Sequence, residues 1–145
     1  MKFRLIVDKQ AEEQVVVTVH EPSTFTDKLE ELVTGQSHRL TAYFEDTLVL
    51  LPVEQISCIA VLEGKTYAID LQGRHCRLKQ RLYELEQLLP SAFFRINKST
   101  LANEYQLERF VATYSGGINA RFKCGYEDYV SRRCFSAIKR RFDVK

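Results

Sequence analysis

The feature that most constrains the fold is a two-residue periodicity of apolar residues, which begins at Leu40 and is interrupted at short intervals by turn signals. Such alternation is typical of β-strands with one buried face. Glu63-Gly64-Lys65 and Gln72-Gly73 are turn sequences between strands. The pattern therefore predicts antiparallel strands joined by tight turns, over residues 40–45, 47–51, 56–62, 66–71 and 74–79.

The second half of the chain continues in the same style, with two helical interruptions. Leucines at helical spacing predict a helix over 82–89 that ends at Pro90, and Ser131 can cap a last helix that stops near Arg141. Further strands are predicted over 93–96, 107–114, 118–124 and 128–130. The βα alternation of nucleotide-binding folds is absent. We therefore predict a mainly β (α+β) body with two short helices.

The front of the chain differs in charge and pattern. Residues 1–37 hold 4 basic and 7 acidic side chains, whereas residues 38–145 hold 17 basic and 12 acidic ones. Strands are predicted over 2–7 and 15–19, and Ser23 or Thr24 can cap a helix over 25–33. We therefore predict a small acidic β-β-α unit over 1–37, a polar linker at 36–38, and a larger basic domain over 38–145 that faces a polyanion.

The motifs of common enzymes and metal sites are missing. The sequence has no glycine-rich phosphate loop, no GxSxG and no HExxH, and its four cysteines form no CxxC pair. His75 and Cys76 are adjacent in a predicted strand, so their side chains point to opposite faces. We predict no catalytic residue, metal or cofactor. No apolar run reaches membrane-spanning length and no signal peptide is evident, so a cytoplasmic protein is expected.

One stretch, FFRINKSTLAN at 93–103, interrupts a predicted strand with polar residues. An ordinary polar turn would explain this segment. A loop that holds Asn97, Lys98 and Ser99 away from the sheet would instead offer donors, acceptors and a cation to a nucleic acid.

The run LYELEQLLPSAFFRINKSTLAN, residues 82–103, resembles the core signature of the LytTR DNA-binding domain. The flanks PVEQISCIAVLEGKTYAIDLQGR and YVSRRCFSAIKRRF agree with it, so that the resemblance covers about residues 38–142. It implies an elongated architecture of small antiparallel β-sheets whose inter-strand loops enter successive major grooves of duplex DNA. The polar residues Asn97 and Thr100 depart from the usual family pattern, which bears on base preference.

The resemblance also assigns roles to residues. Base contacts in the family come from an early hairpin turn, the polar loop and the start of the last helix, which correspond here to Lys65, Lys98 and Arg133. Five further side chains are predicted to contact the DNA backbone, three beside these base contacts and two on the exposed face of the last helix: Asn97, Ser99 and Arg132, and Lys139 and Arg140. Lysine and arginine at base edges suit the O6 and N7 atoms of guanine.

As a whole, the resemblance implies a small stand-alone transcription regulator, response-regulator-like but without a phosphorylatable receiver domain in front. It implies a homodimer on promoter direct repeats and an integral-membrane regulatory partner, with the front unit serving dimerisation or partner docking. Two alternatives remain from the residues alone. One is a basic β module that binds an acidic protein partner. The other is an RNA-binding module, which is weaker because Phe93 and Phe94 occupy core positions of a strand rather than exposed stacking positions.

Overall fold

A computed structural model describes residues 1–34 and 39–142. Seven strands form one antiparallel sheet in the order β2-β1-β5-β4-β3-β7-β6. Their bounds are β1 Arg39–Phe44, β2 Thr47–Pro52, β3 Ile56–Leu62, β4 Lys65–Asp70, β5 His75–Leu78, β6 Phe93–Asn97 and β7 Thr100–Asn103. The bounds of β1 to β6 agree with the predicted strands to within one residue, whereas β7 was not predicted as a strand. The linker predicted at 36–38 lies outside the described residues.

The tight turns of this sheet have the geometry that matches strand twist. Glu63 and Gly64 between β3 and β4 both have positive φ angles, 51° and 76°, as do Glu45 and Asp46 between β1 and β2, at 47° and 64°. Positive φ at both central positions defines the two-residue hairpin turns that suit right-handed strand twist. Gly64 meets this requirement without steric cost, which explains why Glu63-Gly64 is a turn signal.

A second, three-stranded sheet has the order β10-β9-β8. It consists of β8 Leu107–Ala112, β9 Ile118–Phe122 and β10 Glu127–Val130, and it is followed by helix α3, Arg132–Phe142. A core cluster joins both sheets to α3 through fully buried side chains such as Phe122, Ile96 and Ala120, with Ile138 from the helix. Ile138 lies on the inner side of α3 and is 3% exposed.

The opposite face of the large sheet is covered by helix α2, Leu82–Leu88. Leu82 and Leu85 of this helix join Ile59, Leu78 and Leu101 in a separate core cluster. The large sheet is therefore buried on both faces near β3 and β7, which gives these strands a rigid setting.

The helix predicted at the front is present as α1, Thr24–Thr34. The amide and hydroxyl of Ser91 both donate hydrogen bonds to Oδ2 of Asp27, at 2.5 and 2.7 Å. The Lys28 ammonium lies 4.5 Å from the centre of the Tyr105 ring. These contacts anchor α1 on the β body. The boundary proposed at 37/38 therefore marks a change in charge composition, although α1 lies before it and packs against residues that follow it.

The two strands predicted in the front unit are not formed. Residues 1–22 are exposed and have no strand pairing, and their backbone makes only a turn in which the Ala11 amide donates to the Asp8 carbonyl at 3.3 Å. The predicted β-β-α unit is thus wrong for a single chain, since only its helix is present. β-Branched residues favour extended backbone, but a strand also needs a neighbour to pair with.

Candidate nucleic-acid interface

Two hairpin tips lie side by side at one end of the large sheet. Strands β3 and β7 are antiparallel neighbours, and the amide of Val61 donates to the carbonyl of Ser99 at 2.9 Å. The β3–β4 tip carries Lys65 and the β6–β7 tip carries Lys98, both exposed. The sequence separates these lysines widely, whereas the sheet places their turns on the same edge.

The start of α3 is held against the β6–β7 tip. The amide of Ser131 donates to the carbonyl of Ile96 at 2.9 Å, and the Ser131 hydroxyl oxygen accepts the amide of Cys134 at 3.1 Å. This confirms Ser131 as the cap of the last helix. Lys98 and Arg133 consequently line one open groove of about 750 Å³ between β6 and α3. Three separate segments thus bring basic residues to one end of the molecule.

Arg132 and Arg133 lie in the first turn of α3, and both are exposed. Cations are disfavoured there because the helix N-terminus carries a partial positive charge. The first turn of α3 has no acidic residue to offset them. An arrangement that costs helix stability suggests a functional reason for the two arginines.

Further along α3, Lys139 and Arg140 are exposed on its outer side. The Lys139 ammonium lies 5.6 Å from the centre of the Phe135 ring, so its chain follows the helix surface. Lys139 and Arg140 extend the basic surface away from the hairpin tips.

The position of Asn97 in the structure differs from the exposed position that its predicted DNA contact requires. Its side chain is only 1% exposed. Its Nδ2 donates to the carbonyl of Tyr129 at 2.7 Å, and its Oδ1 accepts the amide of Ser99 at 2.8 Å. The prediction that Asn97 contacts the DNA backbone therefore does not agree with its burial. Asn97 instead ties the β6–β7 turn to β10 just before α3, while its neighbour Ser99 remains partly exposed.

A bulge explains this orientation. The pairing of β6 with β7 shifts by one residue between Arg95 and Asn97. Such a shift re-aims the side chains that follow it. Thr100, across from Asn97, is also buried, and its hydroxyl donates to the Asp128 carboxylate at 2.5 Å. Two of the four polar residues, Asn97 and Thr100, thus make hydrogen bonds inside the protein. Only Lys98 and Ser99 at the tip of the turn face solvent.

Arg95 is a positioning residue that sequence reasoning did not single out. Its Nη1 donates to the carbonyl of Lys98 at 2.6 Å, and its Nε donates to Oε2 of Glu86 at 2.9 Å. The guanidinium thereby fixes the tip against α2. The only signal in the sequence was its place in the Phe-Phe-Arg strand.

Charge is distributed unevenly between the two ends of the large sheet. Strand register places the β1–β2 turn, Glu45-Asp46, at the end opposite Lys65 and Lys98. Glu63 is an acidic residue within the basic tip, in the turn before Lys65. A ligand attracted by positive charge would nevertheless approach the end that carries Lys98 and the start of α3.

We also searched residues 1–34 and 39–142 for metal sites, reactive thiols and membrane-spanning helices. No group of three or more metal-ligating side chains occurs among the residues that the structure describes. His75 is exposed while Cys76 is buried, as strand alternation predicts. Burial raises the pKa of the Cys58 thiol well above its usual value, with Cys124 adding to the shift, so this thiol is held neutral. Across residues 1–34 and 39–142, no helix is long and apolar enough to span a bilayer.

An antiparallel β domain that presents lysine and arginine from two hairpin tips and a helix start belongs to the class of proteins that bind a polyanion. The family model for the LytTr DNA-binding domain matches residues 46–143, so this chain belongs to the LytTR family. The resemblance inferred from residues 82–103 is thereby confirmed, as is the mainly β fold class. This family is built around a DNA-binding domain and not around an enzyme.

Several relatives are similar over nearly the whole chain. An uncharacterized HTH-type transcriptional regulator of Staphylococcus aureus strain NCTC 8325 is 29% identical over 149 residues, covering 99% of both chains. The corresponding regulator of strain MRSA252 shows the same identity and coverage. The match includes the front segment as well as the β body.

A solved structure has a similar fold. The LytTr DNA-binding domain of a Bacillus cereus response regulator aligns with a TM-score of 0.65 and 21% identity, covering 73% of this chain and 96% of that one. In the present chain, strands separate each pair of successive helices in the described ranges, so the helix-turn-helix label of the relatives does not describe this architecture.

Proposed function

We propose that this protein is a transcription regulator that binds duplex DNA sequence-specifically through the end of the molecule that carries Lys65, Lys98 and Arg133. The observation that carries the proposal is the convergence of two hairpin tips and the start of α3 on one edge. Membership of a DNA-binding family and the names of the S. aureus relatives support the same role.

The groove between β6 and α3 suggests how bases would be read. Lys98 and Arg133 line this groove together and can reach adjacent base edges, with guanine O6 and N7 as the preferred acceptors. Lys65 projects from the neighbouring tip and would contact a successive part of the major groove. Ser99, Arg132, Lys139 and Arg140 would contact phosphates, which contribute affinity without sequence information.

The remaining expectations complete the proposal. The protein acts as a homodimer on promoter direct repeats in the cytoplasm, and an integral-membrane partner restrains it. A front segment that is acidic would not compete for phosphate, which leaves it available for protein contacts. The alternative of a basic module that binds an acidic protein uses the same charges but needs no base-edge contacts.

Selection of bound sequences from random duplexes by the full chain tests this function. We expect enrichment of a direct repeat whose half-sites are spaced by about 10–10.5 base pairs, one helical turn. Retention on heparin together with selection that enriches no sequence would contradict specific DNA reading and favour the acidic-partner alternative. A matched selection on random single-stranded RNA distinguishes the RNA-binding alternative.

A further inference from the structure

The N-terminal arm, residues 1–22, has the composition of strands but makes no strand pairs in the single chain. A turn at Asp8–Ala11 divides it into two segments without helix or strand, 2–7 and 12–19. Within the described chain these segments are not hydrogen-bonded to each other or to the β body. Their backbone donors and acceptors are therefore free to pair with another strand.

The arm also exposes more apolar surface than an unpartnered segment normally carries. Phe3, Leu5 and Val7 are 91%, 76% and 83% exposed, and Val15 and Val17 are also exposed on the second segment. In each segment these residues alternate, so that they would share one face of a sheet. A contiguous apolar row of this kind marks an interaction surface.

Helix α1 offers a matching cover. Phe25 and Leu32 are 51% and 80% exposed on the helix that immediately follows the arm. Asp27, on the other side of α1, holds the helix on the β body through its hydrogen bonds with Ser91. A sheet made from arms could therefore pack against the exposed side of α1.

The charges of the two segments indicate which partner fits. Segment 2–7 carries Lys2 and Arg4 and no acidic residue, whereas segment 12–19 carries Glu12 and Glu13 and no basic residue. Opposite charges on neighbouring strands stabilise pairing, and like charges oppose it. The first segment is thus complementary to the second segment of an identical chain.

We propose that two copies of this chain dimerise through their arms, with segment 2–7 of each copy paired to segment 12–19 of the other. A two-stranded hairpin is marginal in water, whereas a sheet of three or more strands with an apolar face is stable. Two arms supply four strands, and the two copies of α1 cover their apolar face. The β-β-α unit predicted from the sequence then forms between chains.

The relatives are consistent with a functional arm, because the S. aureus proteins match over 99% of both chains and so have a counterpart of this segment. The interface is symmetric, since each copy contributes the same two segments. It does not depend on the proposed DNA contacts, and it can be measured without DNA.

The first test is sedimentation equilibrium of the full chain without DNA, over a dilution series. We expect a dimer whose dissociation constant rises about tenfold or more in Leu5→Glu, because a carboxylate would be buried in the interface. Tyr114→Glu is the matched control, since Tyr114 is fully exposed outside the arm and its replacement should leave the dimer unchanged. Circular dichroism verifies that both variants are folded. A wild-type chain that stays monomeric, or a dimer that Leu5→Glu does not weaken, overturns the proposal.

The second test addresses the pairing of unlike segments. One variant carries Lys2→Glu with Arg4→Glu, and the other carries Glu12→Lys with Glu13→Lys. Each alone should dimerise weakly because like charges then face each other. An equimolar mixture should form a heterodimer with affinity near that of the wild type, since both segment pairs become complementary. A mixture no tighter than the separate variants overturns pairing between arms and indicates that the arm docks elsewhere.

Discussion

Replacing Lys98 by alanine removes a side chain that the fold does not use. Lys98 is exposed, and in the described part of the chain its ammonium has no hydrogen bond or ion pair. The conformation of its turn is fixed through its backbone carbonyl, which accepts from Arg95, and this bond survives the substitution. The free energy of unfolding should therefore change by no more than about 0.5 kcal/mol.

Binding should respond differently. If the ammonium reaches a base edge, its loss costs roughly 1–3 kcal/mol on the preferred site. The dissociation constant for that site should rise about 5- to 150-fold, because each 1.4 kcal/mol corresponds to about a factor of ten. A scrambled duplex should lose much less affinity, so the ratio of specific to scrambled binding falls.

Fluorescence anisotropy on specific and scrambled duplexes measures this ratio, and a thermal melt of each variant checks the fold. Lys123→Ala is the matched control, since Lys123 is an exposed lysine in the β9–β10 turn, at the end of the small sheet away from the start of α3. An unchanged ratio in Lys98→Ala, or an equal loss in Lys123→Ala, would refute base reading by Lys98.

Four further outcomes are expected. Asn97→Ala should lower the free energy of unfolding by about 1–3 kcal/mol, since it leaves the Ser99 amide and Tyr129 carbonyl unpaired, and should weaken specific binding even where melts show full folding. Leu101→Ala, at a fully buried position, should cost about 2–5 kcal/mol, with binding reduced only in proportion to unfolded protein. Lys139→Ala or Arg140→Ala should weaken all duplexes alike and reduce the salt slope by about one unit, whereas a loss confined to one base position would contradict a phosphate role. Burial, and to a smaller extent the nearby Asp128 carboxylate, raises the pKa of Tyr126 to about 12. The contribution of Tyr126 to the free energy of unfolding is therefore complete below about pH 10 and is lost as the pH rises through 12. Urea titrations at increasing pH should show a smaller loss of stability for Tyr126→Phe than for the wild type.

Much of the architecture follows from local pattern. The alternation after Leu40 and the Glu63-Gly64 turn predict the hairpins because turn geometry and strand facing are properties of a few neighbouring residues. The cap at Ser131 is local in the same sense. The adjacency of the β3–β4 and β6–β7 tips is not local, since it depends on the pairing of β3 with β7. The family resemblance implied only that both turns contact DNA, and it did not predict that they lie side by side.

Asn97 shows where pattern reasoning fails. A polar residue at the end of a strand is usually turned to solvent, but the one-residue shift after Arg95 turns this side chain into the structure. A bulge depends on how two strands pair, which the periodicity of one strand cannot reveal. The prediction of two strands in the front segment is wrong for a related reason. β-Branched residues indicate extended backbone, but they do not identify the strand with which a segment pairs.

We propose that two hairpin tips and the start of α3 read different bases from one end of the molecule. A comparison of the sequences selected by the wild-type chain with those selected by Lys65→Ala, Lys98→Ala and Arg133→Ala distinguishes these roles. We predict that each variant loses preference at its own base position within the half-site, while the other positions keep theirs. Since Lys98 and Arg133 share a groove, their positions should be neighbours, and that of Lys65 should lie farther along. Uniform weakening at every position in all three variants would contradict the claim.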